Sequence, residues 1–185
     1  MSKFVLIHGM SAVLDDSFGK KVKERIRSHD FETIEPKFTF DGDITLENWM
    51  AEINKYKIDD GDNYLCHSLG CTFLIKFLFA KKLKANTVIN IAGGYFDETQ
   101  VWPAFPKIKA FVPTQDELDY YKKNVNSSYL IHSDNDHIYS QPYFDSFVEY
   151  TGANEIILPN RGHFGRSSGV DDIPEIEAIL EKTER

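Results

Sequence analysis

A serine at position 68 stands where an apolar segment gives way to a helical pattern, in the stretch NYLCHSLGCTFLIKFLFA at residues 63–80. On a tight turn from a strand into a helix, a serine hydroxyl is held above the sheet edge, and the free N–H groups of the helix point toward any negative charge formed there. Such a turn needs small residues two positions before and two after the serine. Gly70 fits this need, and Cys66 replaces the usual first glycine with another small side chain. The stretch therefore predicts that Ser68 is a nucleophile.

Two later segments hold the groups that would activate such a serine. A serine hydroxyl needs a base to take its proton, and the base needs a carboxylate to orient it. On this kind of turn the order along the chain is serine, acid, histidine, each at the end of a strand. Asp134 and Asp136 follow the apolar run 128–132, and His163 follows the run 154–158. We predict His163 as the general base; by position either aspartate could orient it, and the other would cap the turn.

Backbone amides could hold the negatively charged oxygen of a tetrahedral intermediate. One donor is the N–H of Leu69, directly after the serine, and the second comes from the loop after the first strand. That loop reads HGMS from position 8. We predict the Met10 amide as the second donor, with Gly9 letting the backbone bend without a side-chain clash.

Other roles for these residues stay open. Ser68 could instead cap the helix that follows it, and His163 could be an ordinary surface-loop histidine. A metal site made of Cys66, His67 and Cys71 is a weak alternative, because a strand end and the next helical turn point their side chains in different directions. Cys66 is a weak nucleophile because the strand would bury it. We expect no metal and no cofactor.

Apolar runs alternate with amphipathic stretches through most of the chain, which favours a mainly parallel sheet with helices on both faces. Near-continuous apolar runs suit strands that are buried on both sides. The runs predict strands at about 3–7, 32–37, 63–66, 87–91, 128–132 and 154–158. Helices are predicted at about 16–28, 45–56, 69–82, 114–123, 142–150 and 173–183.

The segment 93–113 breaks this alternation. It combines aromatic residues with three prolines and two glycines and has no clean period. Loops of this length without regular structure are often functional. We predict that Tyr95, Phe96, Trp102 and Phe105 wall a substrate pocket, although filling of the core is an equally good interpretation.

Length, charge and cysteine content indicate the class of protein. With 185 residues, 42% of them apolar, the chain is expected to form one domain over 1–185. A formal net charge of −8 would repel a phosphate backbone, so we predict no nucleic-acid partner. The N-terminus shows no basic leader, apolar runs stay short of membrane-spanning length, and the two cysteines are too few for a disulfide scaffold. We therefore expect a soluble cytoplasmic protein with reduced thiols and no membrane partner.

Four stretches resemble one known family. The sequences VLIHGM, LCHSLG, LIHSDNDHIYS and NRGHFG are similar to the oxyanion strand, nucleophile turn, acid loop and histidine loop of the α/β-hydrolase superfamily. Among its small members they look like the YdeN-like serine hydrolases, the family that also includes the mammalian retinoblastoma-binding serine hydrolase. The resemblance covers nearly the whole chain, including LENWMAEI at 46–53, where that family also carries a tryptophan-bearing helix.

The resemblance also selects the acid. The acid loop of the family reads Asp followed by proline and apolar residues, and matching this register to Asp136-His137-Ile138 selects Asp136 over Asp134. The chain departs from the family pattern at Cys66, where glycine is usual, and at His137, where proline is common. Neither departure removes a catalytic group.

The resemblance implies a compact, capless α/β-hydrolase with a mainly parallel sheet of about six strands and helices on both faces. It implies a serine hydrolase that uses a Ser-His-Asp triad and an acyl-enzyme, with small carboxylic esters as the usual substrates. A thioesterase or peptidase with the same triad is the alternative among enzymes. The alternative outside them is a non-catalytic module that binds a protein partner through the loop 93–113.

Overall fold

Six parallel strands form one sheet in the computed structural model, which describes residues 2–10, 14–39, 44–95 and 106–183. The strands are β1 Lys3–Ile7, β2 Glu32–Ile34, β3 Asn63–His67, β4 Ala85–Ile91, β5 Val125–Ser133 and β6 Asn154–Leu158. Their order in the sheet is β2-β1-β3-β4-β5-β6, and every neighbouring pair is parallel. Residues of β3 are buried without exception, as expected for a central strand covered on both faces.

The strands alternate with helices along the chain. The α-helices of the described residues are α1 Gly19–Ser28, α2 Leu46–Ile53, α3 Leu69–Lys81, α4 Gln115–Asn124, α5 Gln141–Thr151 and α6 Glu177–Leu180. Short 3₁₀ helices cover Leu14–Asp16, Pro106–Phe111, Arg166–Ser168 and Pro174–Ile176. Across these described segments, no helix has the length and apolar character needed to cross a bilayer.

Two apolar cores lie on opposite faces of the sheet. The larger core contains residues of α2, α3, α4 and α5, and its centre is an aromatic cluster in which Trp49 stacks on Phe38 at 4.6 Å and meets the edge of Phe73 at 5.2 Å. The smaller core contains Val22 and Ile26 of α1 and residues of α6. The prediction of helices on both faces of a parallel sheet is therefore confirmed.

Several element boundaries differ from the predicted ones. The second strand ends at Ile34 rather than 37, and Pro36, which has no N–H to give to a neighbouring strand, follows two residues later. The first helix begins at Gly19 rather than 16, because the chain makes a 3₁₀ turn first. A Cβ at Gly19 would lie 2.5 Å from the backbone of Leu14, so this turn folds back tightly against the helix start.

The predicted helix 173–183 is much shorter in the structure. Pro174–Ile176 is a 3₁₀ turn and α6 has four residues. Beyond it, the N–H groups of Lys182 and Thr183 bond to carbonyls three residues back. The amphipathic pattern was present, but the chain winds more tightly than an α-helix at both ends of the segment.

Part of the predicted loop 93–113 is regular. Pro106–Phe111 forms a 3₁₀ helix, and Phe111 is fully buried with its ring 5.2 Å from that of Trp49. This aromatic residue therefore fills the core. Phe96, Trp102 and Phe105 lie outside the described residues.

Candidate functional site

The candidate site lies where the strand order reverses. β2 lies on one side of β1, and β3 lies on the opposite side. The loops that follow β1 and β3 therefore separate and leave a crevice at the carboxyl edge of the sheet. Ser68 follows β3, and Gly9 and Met10 follow β1. Asp136 and His163 lie in the loops after β5 and β6, which end at the same edge. The topology thus brings the predicted residues to one place.

Ser68 occupies a strained turn between β3 and α3. Its backbone angles are φ 53° and ψ −121°, in a region that residues other than glycine rarely adopt. The turn is held by bonds from the Ser68 N–H to the Ile91 carbonyl (2.9 Å) and from the Cys71 N–H to the Ser68 carbonyl (3.0 Å). The Ser68 side chain makes no capping bond to the helix, so it does not act as the helix cap that the sequence left open.

Close backbone approach explains the small residues around the serine. A Cβ at Gly70 would lie 2.8 Å from the carbonyl oxygens of Ile7 and His8, so even alanine would push α3 away from β1. A Cβ at Gly9 would lie 3.1 Å from the Cβ of Ser68. Gly9 does not have a positive φ, so its position requires the absence of a side chain, as predicted, but not an unusual backbone conformation. Cys66 is fully buried in the larger core.

A continuous chain of hydrogen bonds joins three of the predicted residues. His163 Nε2 lies 2.9 Å from Ser68 Oγ, and His163 Nδ1 lies 2.8 Å from Asp136 Oδ2. The other oxygen of Asp136 accepts bonds from the N–H groups of Ile138 (2.7 Å) and Tyr139 (3.0 Å). Because a carboxylate only accepts, Nδ1 carries the proton, and Nε2 is left to accept the serine hydroxyl.

The surroundings keep the Asp136 carboxyl ionised. Its side chain is only 1% exposed. Burial raises the pKa of this carboxyl, but the hydrogen bond and charge of His163 and the two backbone N–H donors outweigh that effect, so the pKa lies below its usual value. An ionised Asp136 can stabilise positive charge on the imidazole of His163.

Asp134 bonds to the turn after β6 instead of to His163. Its Oδ1 accepts a bond from the Asn160 N–H at 2.8 Å, and its own N–H bonds to the Leu158 carbonyl. Of the two aspartates that position alone left open, Asp136 contacts His163 and Asp134 ties the end of β5 to the turn after β6.

Asp134 belongs to a ladder that sequence reasoning missed. Ser133 Oγ accepts from the Arg161 N–H at 2.7 Å, and Asn135 Oδ1 accepts from the Gly162 N–H at 2.8 Å. With Asp134, three consecutive side chains therefore hold three consecutive N–H groups directly before His163. The only sequence signal is the run of short polar residues after a buried strand, a type of residue that often bonds to nearby backbone.

His67 braces the histidine loop from the other side. Its Nε2 lies 2.9 Å from the His163 carbonyl oxygen, and the two rings are 5.3 Å apart. Burial, and next the proximity of His163, lower the pKa of His67 to about 3. His67 is therefore neutral near pH 7, and its Nε2–H donates to the carbonyl.

The neutral state of His67 predicts an acid-sensitive fold. In the unfolded chain the His67 pKa returns to about 6.5, so between pH 6.5 and about 3 the unfolded state binds a proton that the folded state does not. The contribution of His67 to the free energy of unfolding is complete above about pH 6.5 and decreases as the pH is lowered. Between pH 7 and pH 4 we expect a loss of roughly 3 kcal/mol in the free energy of unfolding.

Urea unfolding of the wild type and of His67→Gln at these two pH values measures this loss. Glutamine keeps an N–H donor but does not titrate, so the variant should show a pH dependence smaller by that amount. Comparing the two proteins cancels the contribution of Asp136. Equal pH dependence in both would show that His67 is not the group responsible.

Tyr139 is a further neighbour of the site. Its ring lies 5.4 Å from the His163 ring, and its hydroxyl is close enough to interact with Ser68 as a hydrogen-bond partner. Burial raises the pKa of the Tyr139 phenol, so the group remains protonated. This contact could not be predicted from the sequence, because Tyr139 lies in the acid loop, far from Ser68 along the chain.

Ser68 and His163 line a cleft of about 550 Å³. Its described lining residues are Gly9, Met10, Leu14, Asp16, Ser17, His67, Ser68, His137, Ile138, His163, Gly165, Arg166 and Ser167. Met10 therefore borders the cleft. Tyr95 is not among these residues; its ring packs 4.8 Å from that of Tyr150, in agreement with the core-filling interpretation.

The two cysteines do not take part in this site. Cys66 and Cys71 are free and fully buried, and burial raises the pKa of both thiols. Neither therefore supplies a thiolate near neutral pH. Within residues 2–10, 14–39, 44–95 and 106–183, no group of three or more His, Cys, Asp and Glu side chains has an arrangement that could hold a metal ion.

Comparison with known proteins identifies the fold. The family model described as Serine hydrolase matches residues 4–182. No curated protein matches the chain. The ydeN gene product of B. subtilis superposes with a TM-score of 0.83 at 18% identity, covering 98% of each chain. This likeness confirms the predicted α/β-hydrolase fold.

Two solved structures with more distant sequences share the fold. Est1E from Butyrivibrio proteoclasticus, solved with ferulic acid, matches at 14% identity with a TM-score of 0.68, over 98% of this chain and 86% of that one. A carboxylesterase structure from Nitrososphaera gargenis matches at 12% identity with a TM-score of 0.69, over 98% and 89%. At these identities the likeness concerns the fold alone.

Proposed function

The chain belongs to the serine hydrolase family, and we propose that it hydrolyses small carboxylic esters with Ser68 as nucleophile, His163 as general base and Asp136 as the orienting acid. The observation that carries this proposal is the continuous hydrogen-bond chain from Asp136 through His163 to Ser68, with links of 2.8 and 2.9 Å. It is supported by the strained backbone of Ser68, since strain of this kind concentrates at functional sites.

The proposed reaction has two halves. In the first, Ser68 Oγ attacks the ester carbonyl while its proton passes to His163 Nε2, and the alcohol leaves with that proton, giving an acyl-serine. In the second, His163 takes a proton from water, the hydroxide attacks the acyl-serine, and the proton returns to Ser68 as the carboxylic acid departs. Asp136 stabilises the imidazolium in both halves.

The tetrahedral oxyanion needs two donors aimed at it. We assign these to the backbone N–H groups of Leu69, the first residue of α3, and of Met10, which borders the cleft beside Ser68. The assignment is supported by the close approach of the Gly9 backbone to the Ser68 side chain. No cofactor enters this scheme.

Ester, thioester and amide substrates distinguish the proposal from its alternatives. Phenyl acetate, phenyl thioacetate and acetanilide share one acyl group, so their relative kcat/KM values report the bond that is cleaved. We expect the ester to be turned over well and the anilide poorly, because resonance stabilises the amide. Turnover confined to the thioester or anilide would replace the ester assignment with the thioesterase or peptidase one.

The remaining alternative is a protein-binding module on the same fold. A folded protein that cleaves none of the three substrates would favour it. We also propose a cytoplasmic location, which the free state of both cysteines supports.

A further inference from the structure

Arg166 lines the cleft beside the candidate nucleophile. It differs from the other described arginines in that its side chain has no partner among the residues that the structure describes. It is exposed, and its guanidinium makes neither an ion pair nor a hydrogen bond with any described residue. The other described arginines all have side-chain partners. Arg25 pairs with Asp172 and Glu177, Arg27 donates to Thr33, and Arg161 contacts Glu175.

The backbone that carries Arg166 is well held. Arg166 begins a 3₁₀ helix in which the Ser168 N–H bonds to the Gly165 carbonyl at 2.9 Å. Phe164 on one side and Val170 on the other are buried in the smaller core. The guanidinium therefore projects from a fixed point on the wall of the cleft, close along the chain to His163.

None of the other ionisable residues in the described lining is ion-paired with Arg166. His67 is held neutral by burial. Asp16 is exposed at the end of the 3₁₀ helix Leu14–Asp16 and forms no ion pair with Arg166. His137 and His163 complete the ionisable set. Arg166 is the one arginine or lysine among the described lining residues.

We infer that Arg166 binds a carboxylate or phosphate group of the substrate, so that the natural esters are anionic. The inference rests on the proposed function and names its substrate class. A guanidinium can donate two parallel hydrogen bonds to either anion. In a chain with a net charge of −8, a local cation is needed to offset the repulsion that an anionic substrate would meet.

Two matched pairs of esters test the inference. Mono-p-nitrophenyl succinate against p-nitrophenyl butyrate places the negative charge on the acyl side. 3-Carboxyphenyl acetate against 3-(methoxycarbonyl)phenyl acetate places it on the leaving group. The quantity compared is the ratio of kcat/KM for the charged ester to that for the neutral ester, in the wild type, Arg166→Gln and Asp16→Asn.

For at least one pair, Arg166→Gln should lower this ratio by about 10-fold or more, mainly through KM, because the variant loses a hydrogen bond between two charged groups. Asp16→Asn should leave the ratio unchanged or raise it. The wild-type ratio should also fall with added salt, and the Arg166→Gln ratio should respond less. The pair that responds shows which part of the substrate carries the anion.

An Arg166→Gln ratio equal to that of the wild type in both pairs would overturn the inference while leaving the proposed function intact. Absence of turnover of all four esters by the folded wild type would overturn both. The two failures are therefore distinguishable.

Discussion

Replacing Ser68 by alanine should lower kcat for p-nitrophenyl acetate by about 10⁶-fold, to the level that oxyanion donors and substrate binding supply without a nucleophile. Ser68 Oγ is the atom at the end of the hydrogen-bond chain, 2.9 Å from His163 Nε2. Alanine removes this atom and leaves His163 with no hydroxyl to activate. Stopped-flow and steady-state assays of both proteins measure the loss.

The fold should survive this change. The Ser68 side chain caps no helix, and alanine meets the same backbone strain at φ 53° as serine does. The thermal midpoint of Ser68→Ala should therefore stay within a few degrees of the wild type. Ser28→Ala, at an exposed position on α1, is the matched control and should keep full activity. Equal turnover by Ser68→Ala and Ser28→Ala would contradict the role of Ser68.

Replacing Asp136 by asparagine should lower kcat by about 10⁴-fold. The oxygen of Asp136 that faces Ile138 and Tyr139 accepts two N–H bonds, so the amide oxygen of asparagine will take that place and its NH₂ will face His163. An NH₂ group cannot accept a proton from Nδ1. His163 would then carry its proton on Nε2, where it can no longer take one from Ser68.

Asp134→Asn is the matched control for this experiment. Asp134 Oδ1 accepts from the Asn160 N–H, and an amide oxygen can accept the same bond. We expect kcat to change by roughly twofold at most, the size of an ordinary surface substitution. A larger loss in Asp134→Asn than in Asp136→Asn would identify Asp134 as the orienting acid instead.

Much of the fold followed from the pattern of apolar residues. The bounds of β1 and β6 agree with prediction, because each strand ends in a short apolar run, 4–7 and 156–158, whose limit is set by the residues that follow it. The early start of β5 at Val125 could not be predicted. Residues 125–127 are polar or half-exposed and join the sheet by pairing with β4, so tertiary pairing rather than local pattern extends the strand.

Ser68, His163 and Met10 line one cleft, and Asp136 bonds to His163, whereas Tyr95 packs against the larger core. The other walls of the cleft were not foreseen. The chemistry of Ser68 and His163 imposes a pattern on the residues around them. The segments Leu14–Ser17 and Gly165–Ser167 carry no such pattern, and they line the cleft because the chain returns there in three dimensions. The ladder from Ser133 to Asn135 was missed for the same reason: its partners are backbone N–H groups of another loop.

Covalent labelling by a fluorophosphonate is the direct test of Ser68 as an activated nucleophile, because an activated serine displaces the fluoride. The folded wild type should take up one equivalent of probe, and peptide mass spectrometry should find the adduct on Ser68. Ser68→Ala should take up none. A folded wild-type protein that forms no adduct, or forms it on another residue, would contradict the role of Ser68 as the activated nucleophile.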